Sequence, residues 1–365
     1  MRDTQANGAA IEPMTSRAIS PNSMTISVFR GALIVLVVAV VGFWYVKWMP
    51  YYQKALAAST THSIGAPILL NKAGQVPAPS FASALDYAFS YSKAIWKAMV
   101  LGLVLGSAVQ ALLPTRWIVR TLGRSGMSQV LLSGVLSLPS MMCTCCAAPV
   151  VAGLRESRAA PGNAVAYWTG NTMLNPATLV FTAFVLGGQW LILRLVVGLS
   201  MVVGLGWIVN RLVHTEEVPT AEPDTAPEDR PSIGRWLRLL WRMAIRLIPE
   251  YAIIVLLLGA TRAWLFPHIG PEVDNSLGWI LAFALAGAVF VIPTAGEIPI
   301  VQALLALGVG VGPAAALLVT LSPVSAPSVA MLWRALRPAT LIIVSAGVVL
   351  LGIVSGIAAV AFFIY

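Results

Sequence analysis

Apolar runs of about twenty residues, long enough to cross a bilayer as helices, recur along this chain between short polar segments. They fall at 30–49, 86–113, 162–186, 190–211, 240–266, 313–333 and 339–364. Two further apolar stretches, 127–158 and 277–310, are each broken near the middle by a proline-bounded motif. The first motif is Cys143-Thr144-Cys145-Cys146-Ala147-Ala148-Pro149, and the second is Pro293-Thr294-Ala295-Gly296-Glu297-Ile298-Pro299. Each stretch reads as two short arms, a re-entrant or broken-helix hairpin. Two full spans per stretch would leave the parity unchanged. At membrane depth, broken backbone and ionisable groups are tolerated only around a cavity or inside protein. Paired interruptions in two hydrophobic halves point to the binding site of a transporter.

The pattern divides the chain into a polar tail (1–28), a first transmembrane helix (29–50) and an extracytoplasmic loop (51–85). Two similar halves follow, 86–211 and 234–365, joined by a Pro- and acid-rich linker at 212–233 that buries too little apolar area to order itself. Gly106 and Pro114 correspond to Gly259 and Pro267, Thr144 and Pro149 to Thr294 and Pro299, and Leu154 to Leu304. Each half runs span, hairpin, span, span. Three spans is an odd number, so the second copy would be inserted upside down. The expected fold class is an all-α polytopic membrane protein with an inverted structural repeat. Each half would carry three spanning helices and one re-entrant hairpin, with an extra N-terminal transmembrane helix.

Charge gives the orientation, because cytoplasmic loops collect Lys and Arg. Arg2, Arg17 and Arg30 precede the first span, and Arg116, Arg120 and Arg124 follow the second. Arg155 and Arg158 close the first hairpin, Arg230, Arg235 and Arg238 precede the fifth span, and Arg334 and Arg337 follow the sixth. One alternating path puts all of these in the cytoplasm. The N-terminus is then cytoplasmic and the C-terminus extracytoplasmic, in a multi-pass protein of the inner (cytoplasmic) membrane. The segments Gly187–Gln189, Pro267–Ser276 and Gly308–Gly312 carry no Lys or Arg. Trp44, Tyr45, Trp48, Tyr51 and Tyr52 read as an aromatic belt where the first span exits.

Composition agrees. The 365 residues are 58% hydrophobic and only 10% charged, with mean hydropathy +0.84, whereas a soluble domain carries about 25% charged residues. The net charge of +9 is spread over loops, which excludes a nucleic-acid footprint. Lipid and a small-molecule or ion substrate are the expected partners, and a homo-oligomer is compatible with the sequence. No cofactor is expected. No nucleotide-binding motif is present, so a secondary transporter fits better than an ATP-driven pump or an enzyme.

The candidate chemistry sits at the two tips. Pro149 and Pro299 read as the starts of helices aimed inward, since proline suits a first turn and such ends favour electron-rich ligand atoms. Cys143, Cys145 and Cys146, the only three cysteines, stand beside Met141 and Met142, and thiols with thioethers suit soft partners. They read as substrate contacts more than as a resident metal site, although free cysteine is also a common small buried hydrophobe. Glu297, a carboxylate at membrane depth, could carry a coupling proton, bind a cation or pair with a substrate group. Thr294 lies in the same motif. Asn171, Asn175 and Ser322, with Pro176 and Pro323, are candidate cavity lining on the spans after each hairpin; interhelical hydrogen bonding is the competing role. Glu250 reads as an ion-pair partner of Arg246. Arg194 and Arg262 read as snorkelling to the outer surface. Gly102/Gly106 and Gly352/Gly356 read as close-packing pairs.

The cysteine tip, followed by Leu154-Arg155 and by Pro161-Gly162, resembles the predicted-permease family that includes trivalent organoarsenical efflux permeases. Members usually show Cys-x-Cys-Gly-x-x-Pro, which Cys143, Cys145 and Pro149 match, while Cys146 stands where the family has Gly. The resemblance covers roughly 86–364. It implies an inner-membrane permease with the cysteine hairpin in its pathway, moving a small soft or thiophilic solute such as an organoarsenical or a sulfur compound. Two other readings stay open: a soft metal-ion permease, and a membrane thiol–disulfide oxidoreductase relaying electrons through the cysteines.

Overall fold

A computed structural model describes residues 21–71, 75–213 and 232–363, and every regular element among them is helical. Helix α1 (Pro21–Phe43) passes through one π-helical turn (Trp44–Trp48) into α2 (Met49–Thr61). The first eight residues of α1 fall in the segment expected as tail; the rest of that tail and most of the linker lie outside the described residues. The helix also runs on to Thr61, so the expected loop from 51 is helical over its first part. Helix α3 (Phe81–Leu112) starts at a Ser80 N-cap whose Oγ accepts from Ser83 N at 3.1 Å.

After α4 (Thr115–Leu122) the chain breaks into four short helices, α5 (Met127–Ser137), α6 (Thr144–Glu156), α7 (Pro161–Met173) and α8 (Pro176–Val185). A long helix follows: α9 (Gly188–Ser200), a π turn (Met201–Leu205) and α10 (Gly206–Leu212). The second half repeats this order. Long α11 (Ile233–Leu265) is followed by short α12 (Leu277–Val289), α13 (Glu297–Ala306), α14 (Val311–Thr320) and α15 (Ala326–Leu332), then long α16 (Pro338–Phe363). Among the described residues five helices, Phe29–Thr61, Phe81–Leu112, Gly188–Leu212, Ile233–Leu265 and Pro338–Phe363, are long and apolar enough to cross a membrane.

The expected single spans 162–186 and 313–333 are each two short helices. The first break is stabilised by Asn175, whose Oδ1 accepts from Ala177 N and Thr178 N at 3.0 and 3.3 Å, with Pro176 starting α8. The second is held by Ser325 and Ser328, which cap each other's backbone, with Pro327 in the first turn of α15. Side-chain acceptors and proline replace the helical bonds that a continuous span would have supplied.

Within each half the chain doubles back in the same way. Ala160 N donates to Leu122 O at 2.8 Å and Asn163 Nδ2 to Leu122 O at 2.7 Å, joining the start of α5–α6 to its finish. Gly310 N to Val273 O at 2.7 Å and Gly312 N to Asn275 Oδ1 at 2.8 Å do this for α12–α13. Contacts of Gly206 with Val130 and Ala166, and of Gly170 with Gly134, align α5 parallel to α7. Gly312 beside Ile280 and Gly287 beside Thr320 align α12 with α14.

Small residues set the closest approaches. Gly102 and Gly106 of α3 lie against the backbone of Cys146 and Pro149 in α6, and Gly153 of α6 lies back against Gly106. Gly352 and Gly356 of α16 lie against Thr320 and Gly312. Both pairs read from sequence as packing residues are packing residues. A methyl group on Gly106 would run into the Pro149 carbonyl, whereas Gly204 has open space around it. We predict that Gly106→Ala costs about 1–3 kcal/mol through overpacking and that Gly204→Ala costs nothing; thermal unfolding in detergent, followed by tryptophan fluorescence, measures both.

Candidate functional site

The first tip is the turn between α5 and α6. A 3₁₀ turn (Leu138–Ser140) ends α5, Met141 takes a left-handed conformation (φ 47°), and Cys143 occupies the N-cap position of α6. Asn171 of α7 fixes this turn, its Oδ1 accepting from Ser140 Oγ at 2.6 Å and from Met142 N at 3.0 Å. All three cysteines are buried and unbridged. They do not face one point. Cys143 Sγ lies 2.8 Å from Cys146 Sγ, while Cys145 Sγ lies 3.7 Å from Ser325 Oγ. Thr144 Oγ1 also meets Ser325 Oγ at 3.1 Å, tying the first tip to the helix break of the other half.

The second tip is the non-helical run 290–296 between α12 and α13, with Ala295 left-handed at φ 65°. Two tyrosines of α3 hold its backbone: Tyr87 OH donates to Val291 O, and Tyr91 OH to Ile292 O at 3.2 Å. Glu297 begins α13 and is 2% exposed. Its Oε1 lies 2.8 Å from Arg194 Nη2 and accepts from Ser322 Oγ at 2.9 Å. Arg194 is wholly buried, and it also donates to Thr172 O at 3.1 Å, Met173 O at 3.2 Å and Ser322 Oγ at 3.1 Å. One guanidinium thus spans both helix breaks and the second tip. Snorkelling, expected from its place in an apolar run, is overturned because the breaks offer carbonyls and a carboxylate inside the protein.

A small cavity of about 10 Å³, room for roughly one water, lies between the tips. Cys143 and Thr144 line it from one side, Thr294 and Glu297 from the other, with Thr172 and Ser322 from the breaks. Of the residues singled out from sequence, Cys143, Thr294, Glu297 and Ser322 meet there. Cys145, Cys146, Asn171 and Asn175 stand behind this lining as buried support. Pro149 departs from expectation: α6 starts at Thr144, so Pro149 lies inside the helix, while Pro299 is third in α13. The Cys143 and Glu297 positions, not the prolines, mark the helix starts.

Lys47 was not anticipated. It lies in the π turn of the first helix, 4% exposed, and its Nζ donates to Thr294 Oγ1 at 3.0 Å and Tyr51 OH at 3.5 Å. Its neighbour Trp48 donates through Nε1 to Pro139 O at 2.7 Å. Trp48 and Tyr51 therefore face protein rather than a membrane interface, whereas Trp44, Tyr45 and Tyr52 remain exposed. A lone lysine inside an apolar run was the available signal; the surrounding aromatics masked it. Arg262 is likewise buried, donating to Ser83 Oγ at 3.1 Å over the Tyr87 ring. Glu250 pairs with Arg334 at 3.5 Å on the surface, not with Arg246. Among the described residues no group of three His, Cys, Asp or Glu is placed to hold a metal ion.

The family described as predicted permease matches this chain over residues 14–171 and 80–361. The UPF0718 protein YraQ of Escherichia coli (strain K12) is 48% identical over 345 residues, covering 94% of this chain and 98% of that protein. No solved structure matches.

Removing one member of a buried ion pair leaves an uncompensated charge, which costs about 3–5 kcal/mol, while replacing both by apolar groups is often neutral. We predict that Arg194→Met and Glu297→Met each lower stability by that amount and that the double variant is more stable than either single. Unfolding in detergent, arranged as a double-mutant cycle, measures the difference.

Proposed function

The chain belongs to the predicted permease family, and on that premise we propose that it is a secondary transporter of the cytoplasmic membrane for a small soft or thiophilic solute, such as an organoarsenical or a sulfur compound. The observation that carries this reading is the cavity shared by the two tips, lined by Cys143 on one side and Glu297 on the other. In this reading α5–α6 and α12–α13 are re-entrant hairpins of an inverted repeat, and their tips meet at the bilayer midplane. The repeated helix order and the matching return of each hairpin to its own start support it. Three crossings per half and one by the N-terminal helix put the termini on opposite sides, and the Arg-rich segments make the N-terminus cytoplasmic and the C-terminus extracytoplasmic.

The chemistry follows from the side chains. A solute with a soft centre finds a sulfur ligand in Cys143 at the cavity wall. Glu297 serves coupling: a proton on its carboxylate removes the negative charge that holds Arg194. Arg194 then loses its tie to α13 while keeping the carbonyls of Thr172 and Met173. The second tip is thereby freed from the breaks, which is a step that alternating access about a fixed site requires. Cys145, turned toward Ser325, supports the contact between halves rather than the cargo.

One observation favours a second reading. The Cys143–Cys146 sulfur approach of 2.8 Å would let this pair cycle between dithiol and disulfide, as in a membrane thiol–disulfide oxidoreductase.

Uptake of radiolabelled methylarsenite and thiosulfate into proteoliposomes tests the transporter. We expect Cys143→Ser and Glu297→Gln to reduce flux at least about tenfold, a loss of roughly 1.4 kcal/mol in the rate-limiting step, and Cys145→Ser to reduce it less. Unchanged flux in the first two removes their roles. Thiol trapping in growing cells addresses the second reading, and we expect the pair to stay reduced under all growth conditions; a pair that alternates with the oxidant supply favours the oxidoreductase.

A further inference from the structure

Lys47 lies near the middle of the apolar helix Phe29–Thr61. Both partners of its ammonium, Thr294 Oγ1 and Tyr51 OH, are neutral, and the Tyr51 ring centroid lies 5.2 Å from it. The ionisable groups that act on its charge are Tyr51, Cys146 and Cys143, with no carboxylate among them. A buried ammonium without a counter-ion is costly, and an ionisable group at membrane depth is functional by default. The turn that carries it is π-helical, an irregularity that collects at functional sites.

A second observation is independent of Lys47. Around the tips, three buried N–H donors have no hydrogen-bond partner, Arg194 Nη1, Asn171 Nδ2 and Asn175 Nδ2, as does the Tyr251 hydroxyl beside Tyr91. Neither asparagine's acceptor oxygen is left in that state. Asn171 Oδ1 is engaged by the cysteine tip, Asn175 Oδ1 caps α8, and the Glu297 charge is met by Arg194. Arg194 and Lys47 against the single carboxylate of Glu297 leave one positive charge that no carboxylate offsets at the tips, together with an excess of donors. What would balance both is an acceptor-rich, negatively charged guest.

Resting on the transporter reading above, we infer that the cargo is a small anion, its charged end facing Lys47 and its soft end facing Cys143. The N-terminal helix then belongs to the binding site. Lys47 touches the second tip while the adjacent Trp48 touches the first through Pro139 O, so this helix brings counter-charge to the place where the halves meet.

The cysteines supply the test, because all three thiols of the chain lie at the first tip. Full-length protein in lipid nanodiscs is treated with three thiosulfonates of different charge, anionic sulfonatoethyl, neutral methyl and cationic trimethylammonioethyl methanethiosulfonate, and each rate is divided by that reagent's rate with free 2-mercaptoethanol. Mass spectrometry follows the rate of mixed-disulfide formation. A site with focused positive potential raises the local anion concentration about tenfold or more, so the anionic reagent should outpace the cationic one by at least about tenfold. Lys47→Met should bring that ratio close to one, and Lys47→Arg should keep it. The wild-type ratio alone decides the matter if Lys47→Met fails to fold. A wild-type ratio of one or below overturns the inference, as does a ratio unchanged in a folded Lys47→Met protein, or no reaction with any of the three. The readout does not depend on flux. Liposomes that move no solute would remove the transporter reading and leave the ratio intact, whereas a ratio of one with normal flux would remove the anion site alone.

Discussion

The buried Arg194–Glu297 pair is the interaction on which the arrangement of the two halves depends. Four helices stop short in the interior, at Met173, Ser140, Val289 and Thr320 or just beyond, and every stop frees backbone carbonyls or N–H groups where no bulk water is at hand. Arg194 accounts for two of those carbonyls and simultaneously binds Glu297 and Ser322. Neither charge is solvated, so each makes the other tolerable, and the geometry that satisfies both is the one that brings the breaks and the second tip together. Asn171 and Asn175 do the corresponding work with neutral groups in the first half.

Much of this was legible in the sequence, for definite reasons. Hydrophobic run length located the long helices, and the proline-bounded motifs located the tips, because both signals are local. The glycine pairs of α3 and α16 were legible for the same reason. The two further breaks were half visible: Asn175-Pro176 and Ser322-Pro323 were noticed as polar and proline-rich, yet the runs containing them were long enough to be counted as single spans. A side-chain cap is what turns such a sequence into two helices, and whether the cap forms depends on its partners.

The charged residues were the least legible. Arg194 in an apolar run has the same local sequence whether it reaches outward to water or inward to a carboxylate, and its partner Glu297 lies about a hundred residues away in the chain. Lys47 is similar: only the fold brings Thr294 beside it. Glu250 has a plausible partner four residues back and a different one in space. Cys143 and Cys146 are an intermediate case, since two cysteines three residues apart at a helix start are neighbours on one face by helical geometry alone.

Helix α3 carries one more consequence. Its C-terminal portion lies backbone to backbone on α6 through Gly102 and Gly106, and its N-terminal portion suspends the second tip from Tyr87 and Tyr91. Both tips thus hang from one continuous helix, as from a beam. Neither can shift without loading the other, so a few degrees of tilt in that beam would be transmitted to opposite walls of the cavity at once.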